Sequence, residues 1–183
     1  MQKAHQPATI WTIGHSNRSQ EEFLALLDSL RIEQIVDIRR FPGSRRQPQF
    51  AGEALAHGLA KHRIAYRHLP ELGGRRGRPA SDSPNTGWRV AQFAAYADHM
   101  QTEEFAQGLE ALMLIADTRR SAMMCSEAVP WRCHRRLVAD ALTVRGWKVF
   151  DIMARNKATL HTLTDFASVQ GGVLTYPGDD IEG

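Results

Sequence analysis

The most reactive side chains of the chain cluster in one segment, SAMMCSEAVPWRCHRR. An apolar stretch that predicts a strand ends at Cys125 and is followed by Glu127; Cys133, His134 and Arg135 then open a segment that predicts a helix. In open α/β sheets, ligands bind beyond the carboxyl ends of strands, where a helix N-terminus adds free N–H groups and partial positive charge. The segment therefore indicates a functional site. The alternative is an inert buried cysteine beside solvated arginines.

Both cysteines are candidate nucleophiles. A neighbouring protonated histidine, an arginine or a helix N-terminus lowers the pKa of a thiol and makes it reactive. Cys125 ends a strand and Cys133 begins a helix, so either can be the reactive one, or each can be a small inert core residue. In a reducing compartment we expect two free thiols, although their short separation also allows transient pairing.

Acid–base and metal chemistry have weaker signals in this segment. Glu127 beside His134 or His15 is a candidate general acid or base, and its alternative is an ion pair with an arginine. Cys125, Cys133, His134 and His15 match no recognised zinc spacing, so we expect no metal site. Because G-x-G-x-x-G, Walker and G-x-S-x-G motifs are missing, we also expect no nucleotide cofactor and no serine hydrolysis.

Alternating strand and helix patterns must position these groups. Strands are predicted at residues 9–13, 34–38, 65–69, 122–125 and 148–153, and helices at 19–30, 52–62, 88–100, from 102 onward and at 134–145. This order predicts a single α/β domain with a mainly parallel β-sheet flanked by helices, in a Rossmann-like or rhodanese-like three-layer arrangement. We expect its core at about residues 9–153, with a C-terminal extension at 154–183 that adds at most a short edge strand.

Parallel strands place the turns that follow them along one rim of the sheet. The rim is then expected to gather His15, Ser16 and Arg18 from the first turn, Arg39 and Arg45 from the second, Glu71 from the third, and Cys125, Glu127, Cys133, His134 and Arg135 from the fourth. Among these, Arg39, Arg45 and Arg135 are a candidate clamp for a phosphate-bearing ligand, because a guanidinium group donates two parallel hydrogen bonds and stays charged. The alternative for Arg39 is a local ion pair with Asp37.

Charge is distributed unevenly along the 183 residues, although the net charge is only +3. Ten of the 23 Lys and Arg residues lie in three runs, at 39–46, 75–78 and 132–136. Such runs indicate an anionic partner, either a small molecule or a nucleic acid. No apolar run approaches the ~18 residues of a membrane span, and the N-terminus lacks a signal core, so we expect a cytoplasmic protein without membrane contact. The sequence gives no signal for an oligomeric state.

These motifs together resemble one family, the domain-of-unknown-function 488 family. The matching segments are Thr12–Arg18 (TIGHSNR), Asp37–Arg39 with Pro42, Ser44 and Arg45, Leu69–Gly74 (LPELGG), and Met124–Glu127 with Cys133–Arg135. The resemblance covers about residues 10–153. It implies a single cytoplasmic α/β domain with these polar turns as its site, and it implies no particular reaction.

A second likeness is to the rhodanese-type sulfurtransferases. The helix and strand at residues 20–39 resemble their opening, and the stretch from Met124 to Val149 is similar to their active-site segment. Their cysteine loop is a short anion cradle that closes directly into a helix, whereas Glu127, Pro130 and Trp131 intervene here. This likeness therefore indicates a fold and not an activity.

The sequence is compatible with three functions. The first is an enzyme acting on a phosphate-bearing substrate, a nucleotide or nucleic acid, with Cys125 or Glu127 at the chemical centre and the long loop at residues 70–87 as a lid. The second is a non-catalytic nucleic-acid binder that uses the arginines for the backbone and Trp88, Trp131 or Tyr66 for stacking. The third is rhodanese-like thiol or sulfur transfer.

Overall fold

The fold is known from a computed structural model that describes residues 8–179. Its strands are β1 (Thr9–Gly14), β2 (Gln34–Asp37), β3 (Ala65–His68), β4 (Ser121–Cys125), β5 (Lys148–Ala154), β6 (Lys157–Leu160), β7 (Ser168–Gln170) and β8 (Val173–Thr175). Its helices are α1 (Gln20–Ser29), α2 (Gly52–Lys61), α3 (Ala91–His99), α4 (Glu103–Thr118) and α5 (Arg135–Val144). The ends of the chain, at residues 1–7 and 180–183, lie outside the described part.

The predicted mainly parallel sheet is confirmed. Six strands are ordered β3-β2-β4-β1-β5-β6, and all neighbours are parallel except the β5–β6 pair at the edge. β1 and β2 are parallel as the first β-α-β unit predicts, but they are not neighbours, because β4 is inserted between them. Every residue of β4 is buried, as expected for an apolar strand at the centre of a sheet covered on both faces.

Helices cover both faces of the sheet, which gives the predicted three layers. Side chains alternate along each strand, so Met123 points to one face and Met124 to the other. One face packs against α3, α4 and α5, where Leu109 and Leu137 are fully or almost fully buried. The other face packs against α1 and α2. A capping box formed by Ser19 and Glu22 lies at the start of α1 and fixes where that helix begins.

Two elements differ from the sequence prediction. Helix α3 begins at Ala91 and not at Trp88, because Val90 has an extended backbone and the Trp88 ring packs edge-on against Phe93 and Phe166. The C-terminal extension contains more than the single edge strand expected: β6 completes the sheet, and β7 and β8 form a separate hairpin. Its three short, mostly exposed strands carry too weak an apolar pattern to be found by periodicity.

A buried carboxylate anchors this extension to helix α5. Asp140 is fully buried and accepts hydrogen bonds from the Nε2 of His161 at 2.8 Å, from the amide and hydroxyl of Thr164, and from the hydroxyl of Tyr176 at 2.9 Å. The other ring nitrogen of His161 lies 3.6 Å from a carboxylate oxygen of Asp151 on β5. Helix, sheet and extension therefore meet at one charged imidazole.

Stability is expected to depend on pH through His161. Burial alone would lower its pKa, but the hydrogen bonds and charges of Asp140 and Asp151 outweigh burial and raise the pKa from 6.5 to about 9. Because the folded protein binds the proton of His161 more tightly than the unfolded chain does, this proton stabilises the fold. The stabilisation is complete below about pH 6.5 and is lost as the pH rises through about 9. Urea denaturation at several pH values should show the free energy of unfolding falling across that window in the parent and less steeply in His161→Gln. Parallel curves for the two proteins would contradict the assignment.

Candidate functional site

A cavity of about 400 Å³ opens at the carboxyl ends of β1, β2 and β4. The shared rim predicted from the parallel strands is therefore present. Six of the predicted site residues line this cavity: His15, Arg39, Cys125, Glu127, Cys133 and His134. The other five, Ser16, Arg18, Arg45, Glu71 and Arg135, do not contribute to its wall.

Backbone hydrogen bonds hold the turns of the rim together. The amide of His15 donates to the carbonyl of Cys125 at 3.0 Å, and the amide of Ser16 donates to the carbonyl of Ser126 at 2.9 Å. These bonds continue the β1–β4 ladder past the ends of both strands. Gly14 makes the approach possible, because a Cβ at this position would overlap the carbonyl of Glu127. Gly14 thus lets the loop at residues 126–132, here called the cysteine loop, cross the end of β1.

Arg135 holds the cysteine loop in place through hydrogen bonds from its guanidinium group. Its side chain is 1% exposed, and its Nη1 donates to the Sγ of Cys125 at 3.0 Å. The same guanidinium also donates to the carbonyls of Glu127 and Ala128, while its Nε is buried without a hydrogen-bond partner. Burial lowers the pKa of Arg135 to about 10, so it stays positively charged at neutral pH. Within residues 8–179 no carboxylate forms an ion pair with it, although the more distant charges of Asp151 and Glu127 act to raise its pKa.

Cys133 lies at the start of helix α5. The backbone amide of Arg135 donates to its Sγ at 3.5 Å, so the sulfur takes the place of a side-chain cap that His134 does not provide. The Nε2 of His134 donates to the carbonyl of Ile38 at 3.0 Å, which leaves Nδ1 as an acceptor 3.7 Å from the Cys133 sulfur. Burial lowers the pKa of His134 to about 4, so its imidazole is neutral at pH 7 and is a weak base that can accept a hydrogen bond from a reduced Cys133 thiol.

The two sulfur atoms are paired in the structure. Cys125 and Cys133 form a disulfide across the loop, and no free cysteine occurs among the described residues. The structure therefore holds the paired state that the short separation allowed, and not the two free thiols expected in a reducing compartment. The short 3-10 helix at Pro130–Arg132 causes the pairing, because it folds the loop back and brings the start of α5 over the end of β4.

The second turn contains a buried ion pair. The Nε and Nη2 of Arg39 donate to the two carboxylate oxygens of Asp37 at 2.9 and 2.7 Å, and Nη2 also donates to the carbonyl of Phe50. Tyr66 donates to the same carboxylate at 2.6 Å. Burial, followed by the bond to Asp37, raises the pKa of Tyr66 and keeps it protonated. The fork of Arg39 is thus occupied by Asp37 and is not free to bind a ligand.

His15 joins this ion pair to the cysteine loop. Its Nδ1 donates to the carbonyl of Ser16 at 2.8 Å, and its Nε2 lies 3.3 Å from the Nη1 of Arg39, which donates to it. Its ring stacks on Phe50 at a centroid distance of 4.3 Å. Burial lowers the pKa of His15 to about 4, so it is neutral at pH 7. The cation beside Cys125 is therefore Arg135 and not a protonated histidine.

The remaining predicted residues have separate positions. Glu127 is exposed at the cavity wall. Ser16 holds a positive φ of 51° in the first turn, and Arg18 donates back to the carbonyl of Gly14. Arg45 is exposed on the loop beyond the cavity. Glu71 lies against helix α4, where its Oε2 is buried without a hydrogen-bond partner.

The three arginine runs converge on this one cavity. Arg39 and Arg40 come from the first run, Arg75 from the second and Arg132 from the third, and Glu127 is the only carboxylate of the wall. With both histidines neutral, the cavity is positively charged. The runs signalled these arginines in the sequence, whereas two members of the predicted clamp, Arg45 and Arg135, do not line the wall. Three further wall residues, Gln92, Phe93 and Tyr96 of α3, had no such signal.

The long loop at residues 70–87 divides into two parts. Its second half is fixed, because the carboxylate of Asp98 accepts hydrogen bonds from the amide of Ala80 and the side chains of Ser83 and Asn85. Its first half carries the exposed Arg75, whose carbonyl accepts a bond from Arg40 at 2.7 Å. Only this first half lies at the cavity.

The described part of the chain holds neither a metal-binding cluster nor a membrane-spanning helix. Residues 8–179 contain no group of three or more His, Cys, Asp or Glu side chains that could hold a metal ion. None of the helices in the same range is both long and apolar enough to span a membrane.

Fold and site together define a single-domain α/β protein with a paired-cysteine centre at the carboxyl edge of a mainly parallel sheet. The chain belongs to the family described as domain of unknown function DUF488, whose model matches residues 19–142. This match confirms the family that the motifs predicted. No curated protein and no solved structure gives a significant match.

Proposed function

We propose that this protein is a cysteine-dependent enzyme that acts on an anionic, phosphate-bearing substrate in the cationic cavity. The observation that carries the proposal is the position of Arg135, a buried cation 3.0 Å from the Cys125 sulfur that forms no ion pair with a carboxylate within residues 8–179. Such a cation favours a thiolate over a thiol, and a thiolate is the nucleophilic form of cysteine. Cys125 is therefore the proposed nucleophile.

The wall of the cavity supports an anionic substrate. Arg40, Arg75 and Arg132 are exposed there and have no carboxylate partner among the described residues. Guanidinium groups in this state are free to bind phosphate oxygens in a forked geometry. Arg40, Arg75 and Arg132 are therefore the proposed phosphate-binding groups. Arg39 is not one of them, because its guanidinium group is bound to Asp37.

Proton transfer has two candidate groups. His134 is neutral and faces Cys133, so it can accept a hydrogen bond from that thiol, and it becomes a base only if a bound substrate raises its pKa. Glu127 is exposed at the mouth and can protonate or deprotonate a substrate group that leaves or attacks there. The nucleophile exists only after the disulfide is reduced, which a small cellular thiol achieves by exchange. The cytoplasmic location predicted from the sequence would supply such a thiol.

The test is turnover by the reduced protein against a panel of phosphate esters and nucleotides, followed by phosphate release and by chromatography of the products. Cys125→Ser is expected to lower turnover by about 10³-fold or more, because it removes the nucleophile. Cys133→Ser, the matched control, should fold equally well and retain most of the activity under reducing conditions. Equal turnover by Cys125→Ser and the parent would overturn the proposal.

Sulfur transfer is a second candidate, favoured by the contact between the two sulfurs beside Arg135. In this reaction the Cys125 thiolate takes one sulfur atom from thiosulfate, releases sulfite and becomes a persulfide, and cyanide then removes that sulfur as thiocyanate. Mass spectrometry of the reduced Cys133→Ser protein after thiosulfate treatment would detect one added sulfur on Cys125; in the parent, the Cys133 thiolate would attack the persulfide, release sulfide and re-form the disulfide. An unchanged mass would exclude this candidate and leave the first one standing.

A further inference from the structure

Two aromatic side chains stand exposed at the edges of the cationic cavity. Phe41, which lines its wall, is 65% exposed, and Trp131, in the short 3-10 helix that borders it, is 55% exposed. They are the only aromatic residues among the strongly exposed large hydrophobic residues of the described chain. Exposed rings of this size are costly in water, so a flat apolar ligand surface would stabilise both.

Each exposed ring is adjacent to an arginine of the cavity. The guanidinium of Arg40 lies 5.5 Å from the ring centroid of Phe41, and the same group is held by the carbonyl of Arg75 at 2.7 Å. Arg132 directly follows Trp131 and faces the cavity. Each exposed ring thus lies next to a guanidinium group of the cavity wall.

A second cavity, of about 280 Å³, begins on the other side of the same short helix. Pro130 and Trp131 line it, whereas Arg132 lines the first cavity. Its wall also holds Arg136, the apolar Leu160, and His161 with the carboxylate of Asp151 beside it. The two cavities are therefore neighbours, separated by a single turn that carries a stacking side chain.

We infer that the substrate of the proposed enzyme is single-stranded nucleic acid, with phosphates in the arginine-lined cavity and unpaired bases stacked on Phe41 and Trp131. This inference rests on the proposed function and adds the class of its substrate. Single strands suit the surface because their bases expose the ring faces that stacking requires, whereas a duplex hides them. A mononucleotide would fill one cavity and leave the other ring exposed.

The test uses a fluorescently labelled oligothymidylate of about twelve nucleotides, within the ~4–16 nucleotides that such sites cover. Anisotropy titrations of the reduced parent should give saturable binding that weakens with salt, because bound arginines release counterions from the strand. Trp131→Ala and Phe41→Ala should each weaken binding by roughly five- to hundredfold, the usual effect of losing one stacked base. Arg132→Gln should weaken binding and reduce the salt dependence.

Matched controls are available on helix α4. Leu114 is 66% exposed there, and Arg119 is exposed at the end of the helix, just before β4 begins and thus at the opposite edge of the sheet. Leu114→Ala and Arg119→Gln should leave binding unchanged. Equal effects of Leu114→Ala and Trp131→Ala would overturn the inference, as would equal affinity for a duplex of the same length.

Failure of this inference can be distinguished from failure of the proposed function. If the strand does not bind but mononucleotides are turned over with dependence on Cys125, the inference is wrong and the enzyme proposal stands. If the strand binds through Trp131 and Phe41 but no phosphate-bearing compound is turned over with dependence on Cys125, the surface is a nucleic-acid binder without the proposed chemistry.

Discussion

Replacing Arg135 by methionine is expected to slow the alkylation of reduced Cys125 at pH 7 by roughly ten- to hundredfold. A cation within hydrogen-bond distance of an acidic group commonly changes its proton affinity by one to two orders of magnitude, and Arg135 is the only described cation that donates to this sulfur. Turnover of any substrate should fall by at least the same factor, because the thiolate is the attacking species. The measurement is the rate of iodoacetamide labelling of the Cys125 peptide, read by mass spectrometry.

Arg135 also supports the fold of the loop, so a control must separate charge from structure. Arg135→Lys keeps a positive charge but loses the fork that donates to the carbonyls of Glu127 and Ala128. It is expected to lose thermal stability much as the methionine variant does, while retaining most of the alkylation rate. If the methionine variant is labelled as fast as the parent, the proposed role of Arg135 is wrong.

Replacing Asp37 by asparagine is expected to lower the free energy of unfolding by about 3–5 kcal/mol, the usual cost of leaving one member of a buried ion pair alone. Asp37 is fully buried and accepts three hydrogen bonds from Arg39 and one from Tyr66. Its loss leaves the Arg39 guanidinium in a position where only 7% of the residue is exposed. Chemical denaturation of both proteins provides the measurement.

A double variant tests the cause of this destabilisation. In Asp37→Asn with Arg39→Met no charge is left buried, and a long apolar side chain fills the same space, so much of the lost stability should return. A loss below about 1 kcal/mol in the single variant would contradict the account of this pair. So would a double variant that is less stable than the single one.

Most of the fold could be predicted because it depends on local patterns. The apolar strands and the amphipathic helices alternate clearly along the chain, and parallel pairing follows from the right-handed crossover rule. The shared rim at the carboxyl ends of the strands could therefore be inferred from the sequence alone. The place of β4 between β1 and β2 could not be inferred, because strand order depends on long-range packing. The hairpin of β7 and β8 was missed because Asn85 and Gln101, far away in the sequence, hold its last strand and Tyr176 in place.

The sequence predicted where the candidate site lies better than it predicted what each side chain does there. The arginine runs showed where positive charge would gather, and the motifs around His15, Cys125 and His134 all reach the cavity. Spacing could not show that Asp37 occupies the fork of Arg39, since that contact depends on side-chain direction at the strand end. Nor could it show that Arg135 turns under the loop toward Cys125, which required the folded path of residues 126–132.

The most direct test of the central claim is the rate of Cys125 alkylation in the reduced protein, measured against pH with and without inorganic phosphate. The account predicts rapid labelling with a midpoint below the ordinary thiol value of about 8.5, and saturable protection by phosphate that equal ionic strength of chloride does not reproduce. Slow labelling of Cys125 throughout that pH range, or labelling that phosphate does not change, would contradict a thiolate nucleophile beside an anion-binding cavity.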